Sequence, residues 1–226
     1  TPHVTTSNPL DGKMPSEQAL LLAGVYNLGF IGLRESSTAR AMLEWWKERL
    51  ARDCIVDPPA GFFVDQRPMD FVPGLFDDVG ILRHEGYNAA YWNMATRDLA
   101  DGADGTDRLT INGADVRFAH FSGYDPREPD VLSKHQNRVH LSKGSVWKRE
   151  LDEYGDMLMA AGYVDVMRTP YGFGKTASGV TLSPVLRALY RSASEEGFSD
   201  SLFSRDGEAA FRAFLLGEDS DWHCLL

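Results

Sequence analysis

Val116-Arg117-Phe118-Ala119-His120-Phe121-Ser122-Gly123-Tyr124-Asp125-Pro126 is the stretch from which the rest of the chain is read. Val116 and Phe118 open a short apolar strand, His120 stands where that strand ends, and Ser-Gly and Asp-Pro then break it. A histidine at a strand end, with a glycine three residues on, falls where side chains point into a crevice. Gly123 permits close backbone approach by a ligand. The same pattern also suits a half-buried histidine bonded to a loop carbonyl, so residues elsewhere have to decide between the two.

Upstream, Val25 to Leu33 (VYNLGFIGL) reads as a strand that is apolar on both faces. Asn27 is a poor strand former, and Gly29 removes a side chain where something must approach. Ser36 or Ser37 caps a helix whose stripe is Ala39, Met42, Leu43, Trp46 and Leu50. After the loop Asp57-Pro58-Pro59-Ala60-Gly61, Pro68 is tolerated only in a first helical turn. That sets Asp65 at or near an N-cap and Gln66 in the first turn, a carboxylate and an amide beside free backbone N–H groups. Val79 to Leu82 reads as a short strand, Glu85 to Asn88 as a turn, and Ala89 to Met94 as a strand containing Asn93. Leu109-Thr110-Ile111, Asn112-Gly113 and Val116 to Ala119 read as a hairpin, approached through the Gly/Asp-rich Asp101 to Asp107.

Beyond His120 the pattern turns helical, over Ser145 to Ala161, after Pro184, and over Glu208 to Leu216. The Tyr171-to-Gly179 glycines fit no phosphate-loop or dinucleotide pattern, and no internal repeat is present. The fold class is α/β: a mixed sheet with flanking helices over residues 1–143, then a helical extension over 144–226.

Composition sets the outer limits. The 226 residues are 43% apolar and 25% charged, values of a globular chain. A net charge of −10 argues against nucleic acid as a partner. No apolar run reaches the length of a bilayer span and no signal peptide is visible, which points to the cytoplasm. Cys54 and Cys224 read as free thiols. Lys134, Arg138, Lys143, Lys148 and Arg149 form an acid-free basic run between Ser133 and Arg149. It is either a solvated face or a local counter-charge for a phosphate-bearing ligand. Residues 1–18 read as a polar, Pro-interrupted loop without an initiator Met, as in a piece of something larger or a processed terminus.

Four blocks together resemble glycosyltransferases of the GT-A fold, of the glycogenin and lipopolysaccharide galactosyltransferase type. Tyr26-Asn27-Leu28-Gly29-Phe30-Ile31-Gly32-Leu33 resembles their F-N-S-G-hydrophobic strand, and Asp65-Gln66 their D-Q at a helix start. Asn88 and Asn93 fall where those enzymes carry an Asn-containing strand, and His120-Phe121-Ser122-Gly123 resembles their H-x-x-G. The block Lys134-His135-Gln136-Asn137-Arg138 is similar to one in bacterial glycosyltransferases, ahead of a further module. The resemblance implies a nucleotide-sugar donor and a glycan or lipid-linked acceptor. It makes His120 a ligand of the Mn²⁺ or Mg²⁺ that bridges the donor diphosphate. Asp65 would hold donor-sugar hydroxyls, Gln66 would lie beside the anomeric carbon, and Asn27 would shape the sugar pocket, with Gly29 leaving room. Asn88, Asn93 and Gly123 would complete the substrate contacts.

The sequence departs from that family twice. No D-x-D lies before Asn27, and Asp219-Ser220-Asp221 reads as solvated acids. Pro126 stands at the family's phosphate-binding Lys, so Arg127 or Lys134 takes that role. The chain therefore resembles the C-terminal half of a GT-A domain, with a sheet edge that a second copy would cover. Two other readings stay open. One is a non-catalytic glycosyltransferase-like module that binds a sugar or protein partner. The other is a hydrolytic metal site of His120, Asp65 and His135 or His140.

Overall fold

In the computed structural model, which describes residues 1–102 and 108–217, Asn112 and Gly113 carry φ angles of +48° and +83°. That left-handed pair is what a two-residue hairpin turn of the primed type needs. Around it, β3 (Leu99–Asp101), β4 (Leu109–Ile111) and β5 (Ala114–Asp115) form a three-stranded antiparallel sheet in the order β3-β4-β5. Ile111, fully buried, pairs with both Leu99 and Ala114. Residues 103–107 of the expected hairpin approach lie outside the described residues.

The chain then leaves the hairpin and runs beside residues 86–89. Arg117 N donates to Gly86 O at 2.7 Å and His120 N to Ala89 O at 2.8 Å, with a parallel bridge between Ala89 and Ala119. This pairing carries His120 to Asn88.

The helices of this part follow their caps. Ser16 Oγ accepts from Ala19 N to start α1 (Glu17–Ala23), and Ser36 Oγ accepts from Ala39 N to start α2 (Ser37–Asp53). Of the expected α2 stripe only Met42 is buried. Two short strands, β1 (Val56–Asp57) and β2 (Phe62–Phe63), pair antiparallel and lead to a 3₁₀ turn, Arg67–Phe71, that runs into α3 (Val72–Leu75). Ser145 caps α4 (Val146–Ala160), whose fully buried Leu151 packs with Met94 and Leu132, ringed by Tyr91, Phe121, Tyr124 and Trp147. Burial of one such leucine is worth roughly 1.5–3 kcal/mol.

By internal contacts the chain divides into Thr1–Ala161 and Gly162–Leu226. Helix α4, which the sequence reading assigns to the extension beyond 143, packs within the first of these units. The second unit is helical: α5 (Tyr163–Met167), α6 (Pro184–Glu195) and α7 (Arg205–Leu216). Its core is Leu182, Ala193, Leu202, Phe211 and Leu215. Ser183 caps α6 with Pro184 as the first helical residue, and Ser204 caps α7, which starts at Arg205, three residues before the expected Glu208. The molecule is thus α/β with a helical C-terminal region. No helix among the described residues is long and apolar enough to cross a membrane.

Four expected strands are not strands; the first is the hairpin return expected over Val116 to Ala119, where the ladder instead falls on Ala114–Asp115 and 116–119 keeps the single bridge of Ala119 with Ala89. Residues 25–33 make one antiparallel bridge, Pro2 with Tyr26, and no ladder. The reason is local: the amides of Leu28 and Gly29 donate to side-chain oxygens, of Gln66 at 3.3 Å and of Asn27 at 2.8 Å. Residues 79–82 form no ladder either. Residues 89–94 turn instead of extending, because Asn93 Oδ1 accepts from Ala90 N at 2.9 Å and Asn93 N donates to Ala90 O at 2.9 Å. An asparagine bonding its own neighbouring backbone competes with a ladder.

Candidate functional site

Residues far apart in the chain meet around Gly29. Asn27 Nδ2 donates to Gln66 Oε1 at 2.9 Å, and Asn88 Nδ2 donates to Asn27 Oδ1 at 2.7 Å. His120 Nδ1 lies 3.2 Å from Asn88 Oδ1. A Cβ on Gly29 would sit 2.4 Å from Asn88 Oδ1, 2.7 Å from His120 Nδ1 and 2.9 Å from Asn27 Oδ1. The room that Gly29 leaves is closely lined by the protein's own side chains.

The backbone fixes which way these amides face. Gly29 N donates to Asn27 Oδ1, and Gln66 donates through Nε2 to Ala23 O at 2.9 Å while accepting from Leu28 N. With Asn27 Oδ1 committed as acceptor, Asn88 must turn its Nδ2 toward it and its Oδ1 toward His120. His120 therefore carries its proton on Nδ1, and the lone pair on Nε2 stays available for a ligand. His120 is half-buried, and that burial pushes its pKa below the ordinary histidine value, favouring the neutral ring. Trp92 packs edge-on against it, ring centres 5.2 Å apart at 89°.

Asn27, Gln66, Asn88 and Asn93 are all buried. Asn93 accepts from Ala90 N and donates to His3 O and Asn88 O, each at 3.1 Å, so it shapes the turn that presents Asn88. These four amides bond to one another and to the backbone. These bonds hold the site together from within.

Asp65 is partly exposed, and its carboxylate makes no hydrogen bond or ion pair among the described residues. It stands near an N-cap, as expected, one residue before it, whereas Gln66 is itself the N-cap of the 3₁₀ turn, not a first-turn residue, and makes no side-chain cap bond. Trp46 Nε1 donates to Asp65 O at 2.9 Å. Val64, immediately before it, has φ +41°, a strained value for a β-branched residue, pinned by Val64 N donating to Ile55 O at 2.8 Å.

On the other side of His120, Gly123 has φ +74°, and a Cβ there would sit 2.5 Å from His135 Cδ2 and 2.7 Å from Ser133 Oγ. The close approach anticipated for a ligand is made by His135 and Ser133. Lys134 N donates to Gly123 O at 3.2 Å, and the Lys134 side chain is exposed and unpaired among the described residues. Arg127 is engaged by Asp125, its Nε 2.9 Å and 3.1 Å from the two carboxylate oxygens. The rest of the basic run is largely neutralised: Arg138 by Asp11, Lys148 by Asp130 and Asp152, Arg149 by Asp101 and Glu150. Lys134 is the cation of that run that adjoins the His120 loop.

The sequence reading passed over His3. It is buried, 4% exposed, with Nδ1 3.3 Å from Val25 O and Nε2 facing Asn27 and Gln66. The sole hint in the sequence is a histidine between Pro2 and Val4 inside an otherwise polar stretch.

A divalent cation finds one ligand here. No group of three His, Cys, Asp or Glu side chains that could hold a metal occurs among the described residues. The neutral Nε2 of His120 fits one coordination position; the remaining ligands would come with the bound substrate or from groups outside this set. The same finding leaves His120, Asp65 and His135 or His140 without the clustering a hydrolytic metal site needs. Asp219, Asp221 and Cys224 lie outside the described residues.

Two proteins of Bacillus subtilis (strain 168) are similar to part of the chain. "Uncharacterized protein YfnF" is 37% identical over 104 residues, which is 46% of this chain and 33% of that protein. "Uncharacterized protein YfnD" is 29% identical over 103 residues, 45% of this chain and 32% of its own length. The chain thus spans about a third of the length of these curated relatives. No protein-family model matches the chain, and no solved structure matches it.

Proposed function

We propose that residues around Gly29 form the donor-sugar end of a glycosyltransferase site, in a protein that transfers a sugar from a nucleotide-sugar donor to a glycan or lipid-linked acceptor. The observation that carries this reading is the convergence of Asn27, Gly29, Gln66, Asn88 and His120 on one hydrogen-bonded cluster, from four separate parts of the chain.

The chemistry divides between a contact layer and its support. Breaking a sugar–phosphate bond builds negative charge on the departing diphosphate. An Mn²⁺ or Mg²⁺ ion arriving with that diphosphate would take His120 Nε2 as one ligand and neutralise part of the charge. The exposed Lys134 ammonium, carried by the strand-like contact with Gly123 O, suits a phosphate oxygen. The unpaired Asp65 carboxylate suits the hydroxyls of the sugar. The Asn27–Gln66–Asn88–Asn93 set then keeps the His120 ring and the Asp65 turn in register, so that little reorganisation is needed on binding.

The test is release of nucleoside diphosphate from a panel of UDP- and GDP-sugars in the presence of Mn²⁺. His120→Ala and Asp65→Asn are expected to abolish it. Unchanged turnover in both variants removes the assignment.

One observation favours a second reading, a glycosyltransferase-like module that binds a sugar or a protein partner without turnover: the described residues supply one imidazole and no carboxylate set for a metal. Saturable sugar-nucleotide binding with no product release is its signature.

A further inference from the structure

His3 is held from the backbone outward. His3 N donates to Val25 O at 3.0 Å, Asn27 N donates to Thr1 O at 2.8 Å, and Pro2 bridges Tyr26. Residues 1–3 thus lie antiparallel against 25–27, which sinks the imidazole beneath Asn27. Its Nδ1 faces Val25 O at 3.3 Å and so carries the proton. Its Nε2 is left as an acceptor, 3.3 Å from Asn27 Nδ2 and 3.5 Å from Gln66 Nε2. These are long bonds, as one lone pair shared by two donors should give.

We propose that His3 is a positioning residue of the His120 site: its Nε2 lone pair accepts a hydrogen bond from each of two amides, Asn27 and Gln66, and so holds both in the orientation that turns Asn27 Oδ1 to Asn88 and, through Asn88, orients His120. What is positioned rests on the reading of this cluster as a sugar-nucleotide site; the positioning does not. Each amide has two N–H groups to satisfy in a buried place. Asn27 gives one to Gln66 Oε1, Gln66 gives one to Ala23 O, and His3 accepts from both. A second route reinforces the first, since the His3 ring stacks edge-on against Trp92 at 5.3 Å and Trp92 does the same against His120 at 5.2 Å.

The block Gln136-Asn137-Arg138 gains a role in this arrangement. Asn137 Oδ1 accepts from Met14 N at 2.7 Å, and Arg138 binds Asp11 at 2.9 Å and 3.0 Å and Lys13 O at 3.0 Å. It latches the loop 11–15, which lies between the His3 segment and α1.

The experiment compares His3→Phe, a ring without an acceptor, with His3→Gln, whose amide oxygen reaches the place of Nε2. Solvent exchange of the Asn27 and Gln66 side-chain NH₂ protons and the ring ¹⁵N shifts of His120 are followed by NMR on the ligand-free protein. The Phe variant is expected to exchange about tenfold faster and to broaden or move the His120 ring signals, the scale of one lost hydrogen bond; the Gln variant stays within about threefold. Mn²⁺ titration of the same samples should broaden His120 in the parent and Gln proteins at lower concentration than in the Phe variant. A Phe variant that keeps both protections, or a Gln variant that loses as much as Phe, overturns the proposal, because a ring that merely fills space favours Phe. If the Phe variant does not fold, the parent spectrum decides: His3 protonated on Nδ1 supports the role and on Nε2 overturns it. Amide exchange is read without ligand, so it is judged independently of whether the protein binds a sugar nucleotide.

Discussion

Adding one carbon at residue 29 tests the geometry of the site at its tightest point. In Gly29→Ala the new methyl meets Asn88 Oδ1 at 2.4 Å, His120 Nδ1 at 2.7 Å and Asn27 Oδ1 at 2.9 Å. All three are inside the closest approach a Cβ makes, and all three atoms are already hydrogen-bonded. Something must shift, and the 3.2 Å contact between His120 and Asn88 is the longest and weakest bond in reach. Loss of that bond costs about 1 kcal/mol, and wedging a methyl into a packed place adds roughly 1–3 kcal/mol. The expected destabilisation of the unit Thr1–Ala161 is thus about 2–4 kcal/mol, read by urea denaturation as a lower midpoint at unchanged slope. The His120 ring ¹⁵N shifts should move with it. Gly32→Ala is the control: its Cβ would meet only the Phe30 ring, at 3.7 Å, and the change should lie within about 0.5 kcal/mol of zero. Equal, small effects at both positions would refute the packing described around Gly29.

Three further outcomes follow from the same structure. Burial pushes the His3 pKa down to about 4, so the unfolded chain takes up a proton that the folded chain refuses. Stability is complete above the ordinary histidine pKa near 6.5 and falls by about 3 kcal/mol as pH drops through the window from 6.5 to 4; urea midpoints measured across that range in the parent and in His3→Gln, whose loss should be smaller, check this. Leu151→Ala empties a fully buried place in α4 and should cost 2–5 kcal/mol, roughly, by the same denaturation measurement, with a shift near zero meaning that α4 is not part of this core. Asn93→Ala removes the partner of three backbone groups, Ala90 N, His3 O and Asn88 O, and should cost about 2–4 kcal/mol while speeding amide exchange at Ala90.

What the sequence made legible was whatever is decided by near neighbours. Asn112-Gly113 announced its turn because both residues tolerate left-handed backbone, and Ser36 and Ser145 announced helix starts because their hydroxyls accept from an amide three residues on. The meeting of residues 27, 29, 66, 88 and 120 was legible only as a pattern of types in order. The extended reading of 25–33 and 89–94 failed for one reason: apolar spacing cannot show that side-chain amides take the backbone bonds a ladder would use. The bonds that Asn27, Asn88 and Asn93 make inside the protein were not legible for the same reason. His3 was invisible because its place depends on pairing with residue 25, 22 positions away. Such contacts leave no local mark. The pairing of the basic run was illegible for a similar reason, since its acidic partners at 11, 101, 130 and 152 all lie outside it.

The most direct measurement is a titration of the isotope-labelled protein with a UDP-sugar in the presence of Mg²⁺, followed by chemical-shift changes. The account predicts saturable shifts at His120, Asp65, Gly123 and Lys134. Saturable shifts confined to other residues, with His120 and Asp65 unmoved, would contradict it.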